Sequence, residues 1–180
     1  MHPPPTSFTI NHNQPVHFTP VPNFCEENVW RQLQEPSNNP RWAVFVSTED
    51  RMCTMWAQRT QNGITPVIWD YHVVMLEQTA AGFQVWDPDC TAGTTLSAQV
   101  WTGTNFPFPD SKVRFRVVEA DEFCRDFRSD RRHSKGSAPP DWPEISLGEH
   151  NLDGYTSMTR GGPGRLLDLD AWLKSTSPCL

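Results

Sequence analysis

The clearest pattern of hydrophobic and polar positions lies in the middle of the chain. Residues 66–76 are rich in β-branched and aromatic side chains, without an internal breaker, which predicts a β-strand. The polar and small residues 77–82 end in glycine and predict a connecting loop. Residues 83–87 alternate between apolar and polar, and Pro88 ends this second strand because it has no amide proton to donate. The pattern therefore predicts a β-hairpin.

The register of this hairpin would place a histidine opposite a carboxylate. A loop centred between residues 79 and 80 gives these pairs: Leu76 with Phe83, Val74 with Val85, and His72 with Asp87. Directly opposed residues hold their Cβ atoms about 4.5–5.5 Å apart, so a carboxylate can bind one ring nitrogen and fix the tautomer of the other. A slip by one residue would turn Asp87 to the opposite face. Tyr71 and Trp86 alternate away from the pair, so we expect Trp86 in the core and no catalytic role for Tyr71.

A helix N-terminus with a cysteine in its first turn is predicted further upstream. Asn23 can cap this helix, and Glu26 lies three residues on, as in a capping box, with Glu27 beside it. Cys25 would occupy the second helical position, where free amide protons and the helix dipole lower a thiol pKa and favour the nucleophilic thiolate. The two acids oppose the thiolate, so a positive charge on His72 would have to compensate.

Together, Cys25, His72 and Asp87 form the set that a thiol hydrolase needs: a nucleophile, a base and a group that orients the base. A plainer interpretation stays open for each residue. A cysteine on the inner face of a helix can be a small core residue. A histidine in a strand can be structural, and an aspartate before proline is common in turns. The residues alone leave both interpretations in place.

Weaker patterns predict the remaining elements and the limits of the domain. The further elements are a hairpin of residues 42–47 and 52–58, a strand at 113–119, and helices at 121–127 and 167–174. The expected organisation is a Pro-rich, flexible arm at 1–22, a single catalytic domain at 23–175, and a frayed C-terminus at 176–180.

Charge and hydropathy argue against several function classes. The 180 residues carry a formal net charge of −6, which argues against a general nucleic-acid partner. The basic run at residues 125–135 is interpreted as a solvated loop rather than a docking patch. No apolar stretch approaches the length of a membrane span, and the first residues lack the pattern of a signal peptide.

Cysteine and histidine usage bears on redox environment and metal binding. The five cysteines, an odd count without paired spacing, predict reduced thiols in a cytoplasmic or nuclear setting. The six histidines are scattered and there is no Cys-x-x-Cys pair, so neither a metal site nor another cofactor is predicted. Nothing in the sequence requires more than a monomer.

Two short strings give the chain a family resemblance. Trp-Asp-Tyr-His-Val at residues 69–73, preceded by Cys-Glu-Glu-Asn at 25–28, resembles the protein N-terminal glutamine amidohydrolases. The similarity extends over about residues 23–134, whereas Pro88 and the segment 91–110 depart from the family pattern. The resemblance implies an α/β fold of the α+β type, similar to papain and the transglutaminases. Such a fold has an antiparallel sheet packed with helices and a catalytic cysteine at a helix N-terminus.

The same resemblance implies a reaction and the residues for it. The family hydrolyses the side-chain amide of a glutamine at the N-terminus of a polypeptide, giving glutamate and ammonia. The product then feeds protein degradation that depends on the N-terminal residue. The family triad carries over onto Cys25, His72 and Asp87, which agrees with the argument from the hairpin.

Substrate recognition would need acceptors for a free α-ammonium group. Backbone carbonyls and side chains near the predicted site are the candidates: Glu26, Glu27, Trp69, Asp70 and Asp89. Two alternative functions stay open. One is a transglutaminase-like acyl transferase or cysteine peptidase on the same scaffold, and the other is a non-catalytic module that binds N-terminal glutamine.

Overall fold

Helices and strands alternate irregularly along the chain. The computed structural model describes residues 18–61, 64–108, 110–134, 136–159 and 161–177. Its α-helices are α1 (Cys25–Gln34), α2 (Ala98–Asn105), α3 (Ala120–Asp126), α4 (Leu152–Thr156) and α5 (Leu169–Ser175). Its strands are β1 (Arg41–Ser47), β2 (Cys53–Met55), β3 (Val67–Trp69), β4 (His72–Thr79), β5 (Gly82–Trp86), β6 (Thr95–Ser97), β7 (Arg114–Glu119) and β8 (Arg165–Asp168). Across these ranges, none of the helices combines the length and the hydropathy that a bilayer crossing requires.

A six-stranded antiparallel sheet forms the centre of the fold, in the order β6-β5-β4-β1-β7-β8. β1 is central because most of its residues are apolar and buried on both faces, so it pairs with β4 on one side and β7 on the other. β2 and β3 form a separate two-stranded sheet. The predicted mixture of helices with an antiparallel sheet is confirmed.

Both faces of the large sheet are covered by helices, so two hydrophobic cores form. Successive residues of β1 point to opposite faces, with Val44 in one core and Phe45 in the other. α2 and α5 cover the first face, where Trp172 stacks on Phe115 with 4.7 Å between ring centroids. α1, α3 and α4 cover the second face, so α1 lies against β4.

The strand predicted at residues 66–76 is in fact two strands in different sheets. β3 pairs with β2, whereas β4 pairs with β1 and β5, and the chain bends at Asp70 and Tyr71 between them. The bend satisfies its own polar groups: the Tyr71 amide donates to the Asp70 carboxylate at 3.0 Å, and the Ser47 hydroxyl donates to the Asp70 carbonyl. The prediction of one strand was wrong because hydrophobicity does not reveal a change of pairing partner.

The predicted hairpin forms, but its register differs from the prediction by two residues. The observed pairs include Leu76 with Val85 and Gln78 with Phe83. The shift arises because Ala80 and Ala81 make a two-residue turn where a six-residue loop was expected. Since side chains alternate with a period of two, this shift keeps every residue on its predicted face. His72 and Asp87 therefore remain on the same side of the sheet.

Other predicted elements had different outcomes. The strand at 113–119 and the helix at 121–127 are confirmed as β7 and α3, within one residue at each end. The hairpin of residues 42–47 and 52–58 was wrong, because β1 and β2 each pair with other strands. The closing helix starts at Leu169 because the preceding residues pair with β7, and Asp168 caps it by accepting from the Ala171 amide at 2.8 Å.

Contacts extend to the first described residues of the chain. The Phe18 ring packs edge-on against two tryptophan rings, with centroids 6.4 and 5.7 Å away. The Val21 backbone exchanges two hydrogen bonds with the Asn28 side chain, at 3.0 and 2.9 Å. Most of the predicted N-terminal arm, residues 1–17, lies outside the described residues, as do residues 178–180 of the predicted frayed C-terminus.

The substitution Gly164→Ala is expected to destabilise the fold. Gly164 has a φ of +62°, and a Cβ atom there would lie 2.2 Å from the carbonyl oxygen of Val117. The positive φ disfavours any residue with a Cβ atom, and the clash is with a backbone atom that cannot rotate away. β7 and β8 would therefore have to separate to accommodate alanine. We expect the free energy of unfolding, measured by urea denaturation, to fall by at least about 1–3 kcal/mol.

A matched control is Gly103→Ala in α2. No atom lies within 4 Å of a Cβ built at Gly103. Alanine is favoured over glycine in a helix by about 0.5–1 kcal/mol, so this variant should be as stable as the wild type or more so. Equal stability of the two variants would contradict the proposed role of Gly164.

Candidate active site

His72 and Asp87 bind each other inside the protein. His72 is the first residue of β4 and Asp87 follows the last residue of β5, and both are at most 1% exposed. The His72 Nε2 atom lies 3.0 Å from the Asp87 Oδ1 atom. The Trp101 indole donates to Asp87 Oδ2 at 2.9 Å, and the Asp89 amide donates to Oδ1 at 3.0 Å. Both oxygens of the Asp87 carboxylate are therefore bound. The other ring nitrogen of His72, Nδ1, takes no part in the bond to Asp87.

The electrostatics of this pair favour the charged form of both partners. Burial opposes protonation of His72, but the charge and hydrogen bond of Asp87 raise the imidazole pKa above its ordinary value of 6.5. Burial likewise opposes ionisation of Asp87, yet His72 and Trp101 lower the pKa of the carboxyl below 3.8. The site can thus hold an imidazolium stabilised by a carboxylate.

Cys25 lies at the start of α1, beside a cavity that it shares with His72. The cavity has a volume of about 200 Å³. Cys25 is the first helical residue rather than the second, because Phe24 occupies the N-cap position without a side-chain cap. The predicted cap by Asn23 was wrong, since Asn23 has a φ of +65° and lies outside the helix.

The pKa of the Cys25 thiol is raised well above its ordinary value. Burial is the largest cause, followed by the charges of Glu26 and Asp89, while a hydrogen bond from the Val73 backbone acts in the opposite direction. Burial and these two charges outweigh the lowering of the thiol pKa that was expected from the helix N-terminus. Formation of a thiolate at this position depends on a positive charge nearby, which His72 can supply.

Glu26 and Glu27 are buried, each at 1% exposure, and do not form a capping box. The Glu27 carboxylate accepts two hydrogen bonds from Arg131, at 2.6 and 2.8 Å, and one from the Trp142 indole at 2.8 Å. The Glu26 carboxylate lies 2.8 Å from the His133 ring. Both oxygens of Glu27 are thus bound, and Glu27 is not among the described residues that line the cavity.

The basic segment at residues 125–135 is therefore not simply a solvated loop. Arg125 and Arg132 are exposed and pair with neighbouring acids, as such a loop would predict. Arg131 and His133 instead turn inward and bind the two acids of α1. The prediction failed for these two residues because their partners lie more than 100 positions away in sequence.

The cavity collects most of the residues that the sequence singled out. Trp69 stacks on the His72 ring at 5.7 Å between centroids, with an angle of 17° between the planes. Asp89 is 6% exposed, and among the described residues its carboxylate has no hydrogen-bond donor. Among the described residues, those that line the cavity are Asn23, Cys25, Trp69, Asp70, Tyr71, His72, Asp89, His133, Ser134 and Ser137.

Several lining or supporting residues escaped sequence reasoning. Tyr71 alternates away from His72 as predicted, but its hydroxyl reaches Glu26 at 3.3 Å. His133 and Trp101 were not expected at the site at all. The signal for His133 was that residues 127–133, which end in Asp-Arg-Arg-His, share in the family resemblance, and nothing local distinguishes Trp101 from other core tryptophans.

Metal-ligating atoms also meet at this point of the structure. One ligand atom each from His72, Asp87 and Asp89 lies within 4.8 Å of the others. His72 and Asp87 already bind each other directly, which gives both residues a role without an ion. Cys25 and the carboxylate-bound imidazole of His72 line the same cavity, which makes them the candidate nucleophile and base.

The substitution Asp87→Asn is expected to lower the pKa of His72. The folded pKa of His72 is raised, so its stabilising contribution is present below about pH 6.5 and is lost as the pH rises through the folded value. The folded pKa of Asp87 is lowered, so its contribution is lost only as the pH falls below 3.8. The variant should therefore lose most stability, relative to the wild type, between about pH 4 and 6.5.

Two measurements check this expectation. NMR titration of the His72 ring gives its pKa directly, and urea denaturation at about pH 5.5 and pH 9 compares the stabilities. Asp170→Asn, at an exposed position in the first turn of α5, is the matched control; it should leave the His72 pKa unchanged and lower stability by no more than about 0.3–1 kcal/mol, equally at both pH values. An unchanged His72 pKa in Asp87→Asn would show that the carboxylate does not stabilise the imidazolium.

Comparison with known proteins places the chain in a family. The model of a family described as N-terminal glutamine amidase matches residues 21–176. The protein N-terminal glutamine amidohydrolases of Bos taurus and Homo sapiens are each 33% identical over 155 residues, covering 75% of this chain and 75% and 76% of theirs. The corresponding protein of Danio rerio is 31% identical over 172 residues, covering 84% of this chain and 85% of its own. The chain belongs to the N-terminal glutamine amidase family.

Proposed function

We propose that this protein hydrolyses the side-chain amide of a glutamine at the free N-terminus of a polypeptide, releasing ammonia and leaving an N-terminal glutamate. One observation carries the chemistry: Cys25 and His72 line the same cavity, and Asp87 is bound behind His72 at 3.0 Å. Family membership supplies the substrate class. A thiol, an imidazole and a carboxylate in this order form a nucleophile, a base and an orienting group.

The finer fold class that we propose is the papain- and transglutaminase-like one. It is supported by a cysteine on the first residue of a helix that packs against β4, by a histidine on β4, and by an aspartate after β5. The three groups thus come from α1, β4 and the residue after β5, and the last two lie at the same end of the antiparallel sheet.

In the proposed reaction, His72 takes the proton of the Cys25 thiol and the thiolate attacks the side-chain amide carbon. The backbone amide at the start of α1 donates to the resulting oxyanion, since the first amide protons of a helix have no partner within it. The imidazolium then protonates the leaving ammonia, and a thioester remains. His72 next removes a proton from water, which attacks the thioester and releases glutamate and the thiol. Asp87 stabilises each imidazolium.

We assign the substrate's α-ammonium to the Asp89 carboxylate. Asp89 lines the cavity and is only 6% exposed, and its carboxylate has no hydrogen-bond donor among the described residues. Glu26 and Glu27 are the weaker candidates because both already bind basic side chains. Trp69 and Asp70 would shape the wall of the cavity. A buried carboxylate without a donor gains most from a cationic ligand.

Rejection of an N-terminal asparagine follows from anchoring the ammonium at a set distance from the sulfur. One methylene in an apolar pocket contributes only about 1–3 kcal/mol of discrimination. A fixed anchor at Asp89 would instead leave the shorter side chain with its amide carbon out of reach of Cys25, and small misplacements of reacting atoms slow a reaction strongly.

The setting and partners of this activity are also part of the proposal. We place the protein in the cytoplasm or nucleus, as a monomer whose product feeds degradation that depends on the N-terminal residue. In support, the four cysteines within the described residues are all free thiols, as expected in a reducing compartment: Cys25, Cys53, Cys90 and Cys124.

The activity is tested by ammonia release from a peptide that begins with glutamine. We expect release from the free peptide, but not from its N-acetylated form, and little from its asparagine-initiated form. Cys25→Ala should abolish release, whereas Asp87→Asn should leave a trace, since acid–base assistance typically contributes about 10²–10⁴-fold. Cleavage of the peptide backbone, or incorporation of an added amine, would indicate a peptidase or an acyl transferase instead. Saturable binding without ammonia would indicate a binding module.

The substitution Asp89→Asn is expected to raise KM for the glutamine peptide about ten- to hundredfold, with a smaller change in kcat. This range corresponds to the loss of a charged hydrogen bond, about 1.5–3 kcal/mol. Steady-state kinetics of ammonia release measure both constants, and Asp170→Asn serves as the control for removing an acid elsewhere. An unchanged KM in Asp89→Asn would move the ammonium site to another acceptor.

A further inference from the structure

The Glu26 carboxylate lies directly beside the nucleophile and is shared by several groups. Its Oε2 atom is 3.6 Å from the Cys25 Sγ atom and 3.3 Å from the Tyr71 hydroxyl, which donates to it. Its Oε1 atom is 2.8 Å from Nε2 of His133. Glu26 itself is 1% exposed, so water does not screen its charge.

A buried carboxylate at this distance is a liability for a thiol enzyme. Its negative charge opposes the formation of a second negative charge on Cys25, and in a low-dielectric site this repulsion is strong. An ion pair with a cation would remove most of the net charge of Glu26, and His133 is the group placed to supply that cation. The His133 side chain is 23% exposed, so it can exchange protons with solvent while Glu26 cannot do so directly.

We propose that His133 is a positioning residue for Cys25 and acts through Glu26: its imidazolium pairs with the carboxylate, so that the carboxylate does not block ionisation of the nucleophile. The proposal deepens the proposed function, because it rests on Cys25 being the nucleophile there. It also explains why a histidine on the segment after α3 faces inward at the cavity.

The surroundings of His133 favour its charged form. Burial opposes protonation, but Glu26, then Glu27 and Asp70, raise the His133 pKa above its ordinary value of 6.5. Glu27 is itself paired with Arg131 at 2.6 Å. The other titratable or charged groups that face the Glu26–His133 pair are Cys25, Tyr71, His72 and His150, the last with its ring centroid 5.4 Å from that of His133.

The sign of the pH effect follows from this arrangement. While His133 is protonated, the pair is neutral and Cys25 can ionise by transferring its proton to His72. As the pH rises through the raised pKa of His133, the pair becomes negative and ionisation of Cys25 is opposed. Without the histidine, the unpaired carboxylate should oppose ionisation of Cys25 even at a pH where His133 would be protonated. Without the carboxylate, ionisation of Cys25 should become easier.

The test is the pH dependence of alkylation of Cys25 by iodoacetamide, followed by mass spectrometry of the Cys25 peptide, in the absence of substrate. His133→Asn should slow alkylation near pH 7 by about tenfold, equivalent to a rise of one unit in the thiol pKa. Glu26→Gln should speed it. The double variant should behave like Glu26→Gln alone, because without the carboxylate there is no charge for His133 to neutralise.

Two comparisons separate this role from a structural one. Arg132→Gln, at an exposed position beside His133, is the control and should leave the alkylation profile unchanged. In steady-state assays, His133→Asn should lower kcat while KM stays within about twofold, as expected for an effect on the nucleophile rather than on binding. A rise in KM alone would identify His133 as a substrate contact and overturn the proposal.

Additive effects of the two substitutions on the alkylation rate of the double variant, or an unchanged alkylation profile in His133→Asn, would also overturn it. Circular dichroism establishes that each variant is folded, and Glu26→Gln removes the charge while keeping the side-chain volume. The alkylation measurement needs no substrate. Its expected result together with no ammonia release from any peptide would therefore contradict the proposed function and leave the effect of His133 on Cys25 standing.

Discussion

The buried hydrogen bond between His72 and Asp87 is the interaction on which the arrangement of the site depends. Removing two ionisable groups from water is costly unless they satisfy each other and their remaining polar atoms. Here Trp101 and the Asp89 amide complete the shell of the carboxylate. The bond therefore requires β4, β5 and α2 to be held in one relative position, and the rest of the fold provides that.

The sheet order explains how this position is held. β4 lies between β1 and β5, and α2 packs against β5 and β6. Trp101 serves two purposes, since its ring belongs to the core on that face while its indole nitrogen binds Asp87. α1 packs against the opposite face of β4, and Cys25 at its start lines the cavity that His72 also lines. The proposed triad thus joins both cores.

Charge balance is the second constraint around the cysteine. Burial raises the pKa of the Cys25 thiol, and the charges of Glu26 and Asp89 raise it further. These two carboxylates and the neighbouring Glu27 are each handled differently. Glu27 is neutralised by Arg131, Glu26 binds His133, and Asp89 has no donor among the described residues. A site of this kind stays electrostatically unfavourable for a thiolate until cations are in place. That property suits an enzyme that we propose to act on a substrate carrying an ammonium group.

The sequence by itself determined the chemistry and the local alternation. The two family strings singled out Cys25 and His72, and the hairpin pattern added Asp87 as the partner of His72. The period of two in strands kept His72 and Asp87 on one face although the predicted register was off by two residues. The bend after Trp69 and the burial of the acids in α1 were decided only by tertiary structure. The physical reason is that local patterns report the hydrophobicity of neighbours. Strand partners and charge neutralisation depend on segments such as the one carrying Arg131 and His133, more than 100 residues away.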